Sequence, residues 1–226
     1  MKKQWQQLVR FGFRLLYQEM AWSYDAVSWL VSLGQWRQWQ QQTLHFLPPA
    51  TTAPLVLEIG HGPGHLLVDL AAREYRPIGL DLSTQMGRMA RQRTNGRFPL
   101  LQASVMAIPL QDGVVDVVLS TFPTDYIINP STLCEVKRVL RPNGRLIILP
   151  QAKLTGRTPI HRLIELAFRL TGQRTLATDQ QVAVDEATWG PLHQALTAVG
   201  FSLTQHIITL PGSIALVIIA EKHTPS

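Results

Sequence analysis

The chain has 226 residues, 46% of them hydrophobic and 16% charged, which is enough apolar material for a continuous core in one domain and excludes a disordered tail. A single cysteine, Cys134, excludes an internal disulfide framework and suits a reducing, cytoplasmic compartment. The net charge of +6 fits nucleic acid, an anionic membrane surface or solubility alone, so the positions of the basic residues must decide between them. No uncharged apolar run is as long as a membrane span, and the glutamines after Lys3 interrupt any secretion signal, so we expect neither feature.

Residues 1–50 are predicted to form a helical region that acts as a lid on the substrate side. Apolar residues recur at helical spacing from about residue 4, and further helices are expected over 24–33 and 36–47. The first helix mixes aromatic and basic side chains, as does a second stretch over 160–170, and this composition is typical of helices at a membrane headgroup boundary. The same periodicity is equally typical of helices that pack on a core, so both interpretations stay open.

From residue 55 onward, strand-like and helix-like segments alternate, which indicates a doubly wound α/β sheet with helices on both faces. The expected strands cover residues 55–59, 77–81, 98–102, 114–120, 145–149, 201–209 and 213–220. The expected helices cover residues 65–73, 131–140, 160–170 and 188–199, with a further one capped by Ser83. We therefore predict one domain over 51–226, with a helical insertion on the substrate side over 151–190.

A glycine-rich loop joins the first strand of this domain to its first helix. Gly60, Gly62 and Gly64 permit a sharp turn there and leave no side chain to block a ligand, while the helix N-terminus presents free N–H groups. Asp81 ends the second strand about 20 residues later, where a carboxylate can accept hydrogen bonds from two ribose hydroxyls. A dinucleotide fingerprint would need glycine or alanine at the position of His65, so the loop favours another nucleotide-type cofactor.

Three segments then carry a resemblance to a known family. Residues 56–66, VLEIGHGPGHL, resemble the first motif of class I methyltransferases. Residues 107–118 resemble the "LPF…FDVV" segment of that family, and residues 135–146 resemble its "E–RVLKPGG" segment. The resemblance implies a Rossmann-like sheet of seven strands with an antiparallel last strand, preceded here by the N-terminal helical extension. It also implies S-adenosyl-L-methionine as the cofactor.

The resemblance assigns cofactor residues position by position. In the family, residues after the first strand hold the methionine portion, and the residue at Asp81 binds the ribose. An acidic residue before the "LPF" segment contacts the adenine, but Ser104 stands at that position here, so the carboxylate is replaced by a hydroxyl. The expected cofactor-binding residues are Tyr24, Glu58, Gly60, His61, Gly62, Gly64, Asp81, Leu82, Ser104, Val105 and Ser120.

The N-terminal region carries a second resemblance. Tyr24-Asp25 and residues 32–39, SLGQWRQW, are similar to the "YD…SxGxxRxW" stretch of the ubiquinone and menaquinone biosynthesis C-methyltransferases, and residues 212–217 resemble the last strand of that family. This implies methyl transfer to a lipophilic, quinone-precursor-like small molecule. Such a substrate has to be taken from a bilayer, so we expect a cytoplasmic protein that is peripheral at the inner face of the membrane. Phospholipid N-methyltransferases share the "YD" opening, so methylation of a phospholipid headgroup or another small amine is the alternative.

The candidate bases for an acceptor proton are His61 and His65 in the loop, Asp25 near the N-terminal lid, and Asp125 or Tyr126 after the fourth strand. His61 has the alternative role of shaping the loop. Thr121, Phe122 and Asp125 follow the carboxyl end of the fourth strand, where open α/β sheets bind ligands, so we expect them to bind the substrate. No metal is expected, because His61 and His65 flank Gly-Pro-Gly and so do not lie on successive helical turns.

Two hypotheses from other classes are weaker. A nucleic-acid methyltransferase would suit the basic charge, but the sequence has no aromatic-basic RNA-binding motif and no basic domain, so we expect no nucleic-acid partner. A non-catalytic protein that binds only the cofactor is disfavoured by the intact glycine loop and by Asp81.

Overall fold

The computed structural model describes residues 28–29, 32–155 and 186–222. Tyr24 and Asp25 lie outside the described residues, as do the predicted first helix and the predicted helix over 160–170. The basic amphipathic stretches that suggested a membrane surface therefore lie outside the described residues as well.

Seven strands form one sheet, in the order β3-β2-β1-β4-β5-β7-β6. The strands are β1 (Leu55–Ile59), β2 (Arg76–Asp81), β3 (Leu100–Gln102), β4 (Val115–Thr121), β5 (Leu140–Leu154), β6 (Phe201–Leu210) and β7 (Ser213–Lys222). The pairs among β1 to β5 are parallel, whereas β7 is antiparallel to both of its neighbours, β5 and β6. The predicted seven-stranded sheet with an antiparallel last strand is confirmed.

The α-helices lie between and before these strands, at about the predicted positions. They are α1 (Trp36–Gln42), α2 (His65–Ala71), α3 (Thr84–Arg93), α4 (Pro130–Val139) and α5 (Glu186–Ala198), with short 3₁₀ helices over Thr43–Phe46, Ala50–Thr52 and Asp125–Ile128. The side chain of Ser83 accepts a hydrogen bond from the Met86 N–H, as expected for an N-cap of α3. The segment predicted as one helix over 36–47 changes to 3₁₀ geometry after α1, just before Pro48-Pro49.

Helices cover both faces of the sheet. Successive residues of a strand point to opposite faces, so neighbouring residues pack against different helices. Leu57 and Ile59 belong to a cluster with residues of α4 and α5, such as Leu133 and Leu196. Val56, between them, belongs to a second cluster with residues of α1 and α2. This burial on both faces explains why the strands read as nearly continuous apolar runs.

β5 is longer than predicted. It continues past residue 149 because it pairs with β7 as far as Leu154, opposite Ser213, with an irregular register between Ile148 and Gln151. The first residues of the predicted insertion over 151–190 therefore belong to the sheet. The full length of this strand could not be predicted from the sequence, because Pro150 and Lys153 interrupt the apolar run.

Candidate functional site

The glycine loop lies at the carboxyl edge of the sheet, between β1 and α2. Gly60, Gly62 and Gly64 have φ angles of 70°, 51° and 80°, in the left-handed region that glycine adopts without strain. The Gly60 N–H donates to the Leu80 carbonyl at 2.7 Å, which fixes the start of the loop to the end of β2. The sequence therefore needs glycine at all three positions for the backbone conformation alone.

The three glycines differ in what surrounds them. Gly64 is buried, and a Cβ there would lie 2.9 Å from the Ala90 Cβ, so this glycine lets α3 pack against the loop. At Gly60, a Cβ would lie 2.9 Å from the Tyr126 hydroxyl, whereas at Gly62 it would meet nothing within 4 Å. Gly62 therefore leaves its side-chain direction open to a ligand, Gly60 is exposed but faces the Tyr126 hydroxyl, and Gly64 packs against α3; its predicted contact with the cofactor stays a prediction.

Asp81 holds the loop in place from the end of β2. Its Oδ2 accepts a hydrogen bond from the Gly62 N–H at 3.0 Å, and its Oδ1 accepts one from the Ser83 N–H at 2.8 Å. Each carboxylate oxygen can accept more than one hydrogen bond, so Asp81 can fix the loop and still receive ribose hydroxyls. Leu82, which follows, has 71% of its surface exposed and offers an apolar face beside that carboxylate.

Glu58 is the least ordinary charged residue of the site. Its side chain is 1% exposed, and Oε2 has no hydrogen-bond partner among the described residues. Burial raises the pKa of this carboxyl well above its usual value, and the nearby carboxylates of Asp81 and Asp69 raise it further. A buried acid with an unsatisfied oxygen is a favourable partner for a cationic ligand group.

His61 is packed into the loop. It is 4% exposed, and a Cβ at Gly79 would lie 2.7 Å from its Cδ2 atom, so the ring lies directly over this glycine of β2. Its Nδ1 is 2.7 Å from the Gly62 carbonyl oxygen, which can only accept, so Nδ1 carries the proton. Burial lowers the pKa of His61, with Asp81 acting in the opposite direction. The geometry fits the loop-shaping role, and Gly79 was missed although a glycine inside a strand signals a close approach.

The carboxyl end of β4 brings two hydroxyl groups to the loop. Ser120 is fully buried, and its Oγ lies 3.1 Å from the hydroxyl of Tyr126, which comes from the 3₁₀ helix over Asp125–Ile128. Gly60, Ser120 and Tyr126 therefore meet at one point. Asp125, predicted to bind the substrate, is exposed at the start of the same 3₁₀ helix and does not line the cavity described below.

The helix α1 faces the end of β4. Thr121 accepts a hydrogen bond from Gln40 Nε2 at 2.9 Å. Phe122 stacks on Trp36 with 4.0 Å between the ring centroids, and its own φ of 51° is rare for a bulky residue. The contribution of Gln40 and Trp36 was not predicted, because it depends on contacts between residues about 80 positions apart.

A cavity of about 230 Å³ lies between α1 and the glycine loop. The residues that shape it include Trp29, Trp36, Arg37, Gly60, His65 and Thr121. No acidic side chain lines it among the described residues. A second cavity, of about 170 Å³, lies on the other side of His61 and reaches Asp81, Thr84, Arg88 and Gln102.

The segment that carries Ser104 and Val105 is held by α4. Both residues are half-buried, and Ser104 Oγ accepts a hydrogen bond from the Met106 N–H at 3.2 Å. Further along, Glu135 accepts from the Ile108 N–H at 2.7 Å, and Arg138 donates to the Ile108 carbonyl at 2.8 Å. Neither Ser104 nor Val105 lines the two cavities described above, and their contact with the adenine stays a prediction.

Comparison with known proteins agrees with this site. A family model described as a methyltransferase domain matches residues 57–148. A demethylmenaquinone methyltransferase of Symbiobacterium thermophilum is 31% identical over 167 residues, which cover 69% of this chain and 63% of that protein, so the chain spans less than two thirds of its length. A demethylmenaquinone methyltransferase of Lactiplantibacillus plantarum is 28% identical over 196 residues, which cover 74% of this chain and 82% of that protein.

The fold has solved counterparts as well. A protein of Methanococcus maripaludis, described as an S-adenosyl-L-methionine-dependent methyltransferase, matches with a TM-score of 0.64 at 20% identity, over 93% of this chain and 95% of that chain. These matches agree with the predicted fold, and the family model describes the matched region as a methyltransferase domain. In the part of the chain that the structure describes, no helix is long and apolar enough to cross a membrane, and no group of three or more His, Cys, Asp or Glu residues is arranged to hold a metal ion.

Proposed function

We propose that this chain, which carries a class I methyltransferase domain, transfers the methyl group of S-adenosyl-L-methionine to a lipophilic small molecule of the quinone-precursor type. The observation that supports this most directly is the cavity between the glycine loop and α1, whose wall carries Trp29 and Trp36. The similarity to demethylmenaquinone methyltransferases points to the same class of acceptor.

The described residues fit this cofactor. S-adenosyl-L-methionine is a cation with a ribose, and the loop offers a buried acid at Glu58 and a half-buried carboxylate at Asp81. Gly62 leaves room for the cofactor against the backbone, and both Gly60 and Ser120 lie next to the Tyr126 hydroxyl. When bound, the cofactor supplies an activated methyl group, so the main task of the protein is to align the acceptor with it.

The cavity suits a flat, neutral or anionic acceptor better than an amine. Indole rings offer large apolar faces on which an aromatic ring can stack. Among the described residues the lining contains no carboxylate, which would be the favourable partner of a cationic amine, and its one arginine, Arg37, is paired with Asp69. This observation favours the quinone-precursor class over methylation of a phospholipid headgroup.

Of the candidate bases, Tyr126 fits best. Its hydroxyl lies against Ser120 and against Gly60, a residue of the cofactor loop that lines the acceptor cavity. His61 borders the cavity as well, but its ring is buried against Gly79 and its Nδ1 is bonded to the Gly62 carbonyl. Replacement of Tyr126 by phenylalanine should therefore lower kcat by about 10²- to 10⁴-fold, the usual range for loss of a general acid or base. Cofactor affinity, measured by calorimetry, should change little, and an unchanged kcat would exclude this role.

The identity of the acceptor can be tested with the purified protein and cofactor labelled in its methyl group. One sample of protein and labelled cofactor is incubated with a bacterial lipid extract. A parallel sample is incubated with a 1,4-naphthoquinol that carries a short isoprenoid tail. We expect label in the quinone fraction and in the naphthoquinol. Label in polar lipids, with none in either quinone sample, would contradict the proposal and favour the amine alternative. The Asp81→Ala variant is the negative control, because it removes the carboxylate proposed to bind the ribose.

We also propose that the protein binds the membrane surface, since a lipophilic acceptor has to be taken from a bilayer. Flotation assays with anionic and with neutral vesicles measure this binding directly. We expect binding to the anionic vesicles that weakens with salt, because basic residues would supply most of the attraction.

A further inference from the structure

Arg37 joins α1 to α2 beside the cofactor loop. Its Nη2 atom is 2.9 Å from both carboxylate oxygens of Asp69, and its Nη1 is 2.5 Å from Nδ1 of His65. Asp69 also accepts a hydrogen bond from Gln41 Nε2 at 3.1 Å. Two consecutive turns of α2 are thus bonded to one arginine of α1.

The contact with His65 places this junction next to the loop. A guanidinium has only donors, so Nδ1 of His65 must be the acceptor. His65 is the first residue of α2 and follows Gly64 directly. Arg37 therefore holds α1 to the point at which the cofactor loop becomes helix.

The electrostatic setting also depends on Arg37. Asp69 is one of the carboxylates that raise the pKa of the buried Glu58. The side chain of Asp69 is only 20% exposed, so the ion pair with Arg37 compensates a charge that solvent screens weakly. Removal of the guanidinium would leave this carboxylate with the Gln41 amide alone as its partner among the side chains that the structure describes.

The other side of α1 is fixed to β4. Gln40 donates to Thr121, and Trp36 stacks on Phe122. The helix α1 is thus attached to α2 through Arg37, and to the end of β4 through Gln40 and Trp36. Trp36 also lines the cavity.

We propose that Arg37 is a positioning residue that holds α1, and with it Trp36, at the separation from the glycine loop that a flat acceptor requires. This inference rests on the proposed function, because it takes the cavity below α1 to be the acceptor site. Arg37 acts through Asp69 and His65 and takes no part in methyl transfer itself.

The test compares Arg37→Met and Arg37→Lys with Arg141→Met in the full chain. Arg141 is a matched control because it also forms an ion pair with an aspartate, Asp116, at 2.7 Å, and has a similar exposure of 52% against 44%. Asp116 lies at the opposite end of β4 from the cavity. Lysine keeps the charge but cannot form the same forked contacts with Asp69 and His65, so it serves as the milder variant should methionine prevent folding.

We expect Arg37→Met to raise the KM for the naphthoquinol about tenfold or more, while kcat and the Kd of the cofactor stay within about twofold. Arg37→Lys should give an intermediate KM, and Arg141→Met should match the unaltered protein. Hydrogen exchange over residues 36–42 should become faster in the Arg37 variants alone, and this readout needs no acceptor.

A fall in kcat with an unchanged KM would overturn the inference, since it would give Arg37 a role in the reaction. Unchanged exchange over residues 36–42 would overturn it as well. If no quinone-type acceptor is methylated, the proposed function fails, whereas the exchange measurement still decides whether Arg37 holds α1.

Discussion

Replacement of Glu58 by glutamine should change how the stability of the protein depends on pH. Glu58 is 1% exposed and its Oε2 has no hydrogen-bond partner among the described residues, so its charged form is poorly solvated. Burial, followed by the charges of Asp81 and Asp69, raises its pKa well above the ordinary value of 4.5. The folded protein therefore holds a proton on Glu58 at pH values where the unfolded chain has lost it.

The sign of the effect follows from this difference in bound protons. A carboxyl with a raised pKa in the folded state contributes its full stability below its unfolded pKa of 4.5, and this contribution is lost as pH rises through the folded pKa. Between the unfolded and the folded pKa the folded protein holds one more proton than the unfolded chain, so the loss amounts to about 1.4 kcal/mol per pH unit. The glutamine variant cannot ionise, so the free energy of unfolding of the variant should gain on that of the unaltered protein by this slope from pH 5 upward.

The experiment is denaturant unfolding of both proteins, without cofactor, at intervals from pH 5 to pH 8. His61 has a lowered pKa, so it destabilises the protein as pH falls below its unfolded value of 6.5, but it is present in both proteins and largely cancels in the difference. Glu74→Gln, at an exposed position, is the control for the substitution itself. A difference between Glu58→Gln and the unaltered protein that stays flat from pH 5 to pH 8 would refute the reasoning.

The same acid should couple cofactor binding to pH. A cationic cofactor near Glu58 favours its ionised form, so binding should release a proton at neutral pH. Calorimetry in two buffers with different ionisation enthalpies counts the released protons. We expect the count to fall in Glu58→Gln, whereas equal counts in both proteins would show that another group supplies the proton.

Two further predictions concern packing around the site. Gly64→Ala should lower the free energy of unfolding by about 1–3 kcal/mol in thermal or denaturant melts, because the new methyl would lie 2.9 Å from the Ala90 Cβ at a φ of 80°. Gly87→Ala in α3 is its matched control and should stabilise by about 0.5–1 kcal/mol, since nothing lies within 4 Å of the added Cβ; equal losses in both would contradict the account. Arg138→Met should weaken cofactor binding about tenfold by calorimetry, because it releases the carbonyl of Ile108 and loosens the segment that carries Ser104, and an unchanged Kd would separate that segment from the cofactor site.

The fold could be predicted largely from local patterns. Buried parallel strands have apolar residues on both faces, so segments such as residues 55–59 and 114–120 stand out in the sequence. The ends of these strands also placed Glu58, Asp81 and Ser120 at one edge of the sheet, where the structure brings the loop and the end of β4 together.

The contacts that shape the site were harder to predict from the sequence. The surroundings of Gly64 and Gly60 are set by Ala90 of α3 and by Tyr126 of the 3₁₀ helix. The local sequence around Ala90 and Tyr126 does not indicate these contacts with the loop. The left-handed conformation of Phe122 is held by its N–H bond to the Leu149 carbonyl and by the stack on Trp36, so it has a tertiary cause. The sequence analysis included Arg37 only as part of the N-terminal family motif. Its contacts with His65 and Asp69 could not be predicted, because these residues lie about 30 positions away in the chain.

The position of β7 in the sheet has a consequence for the order in which the chain assembles during synthesis. β6 pairs with β7 alone, although β6 comes earlier in the chain. The strands β1 to β5 can pair while later residues are still being made, whereas β6 has to wait on the nascent chain until β7 leaves the ribosome and fills the gap beside β5. Until then the edge of β5 is unpaired, so this is the stage at which a chaperone that shields strand edges would protect the protein most from aggregation.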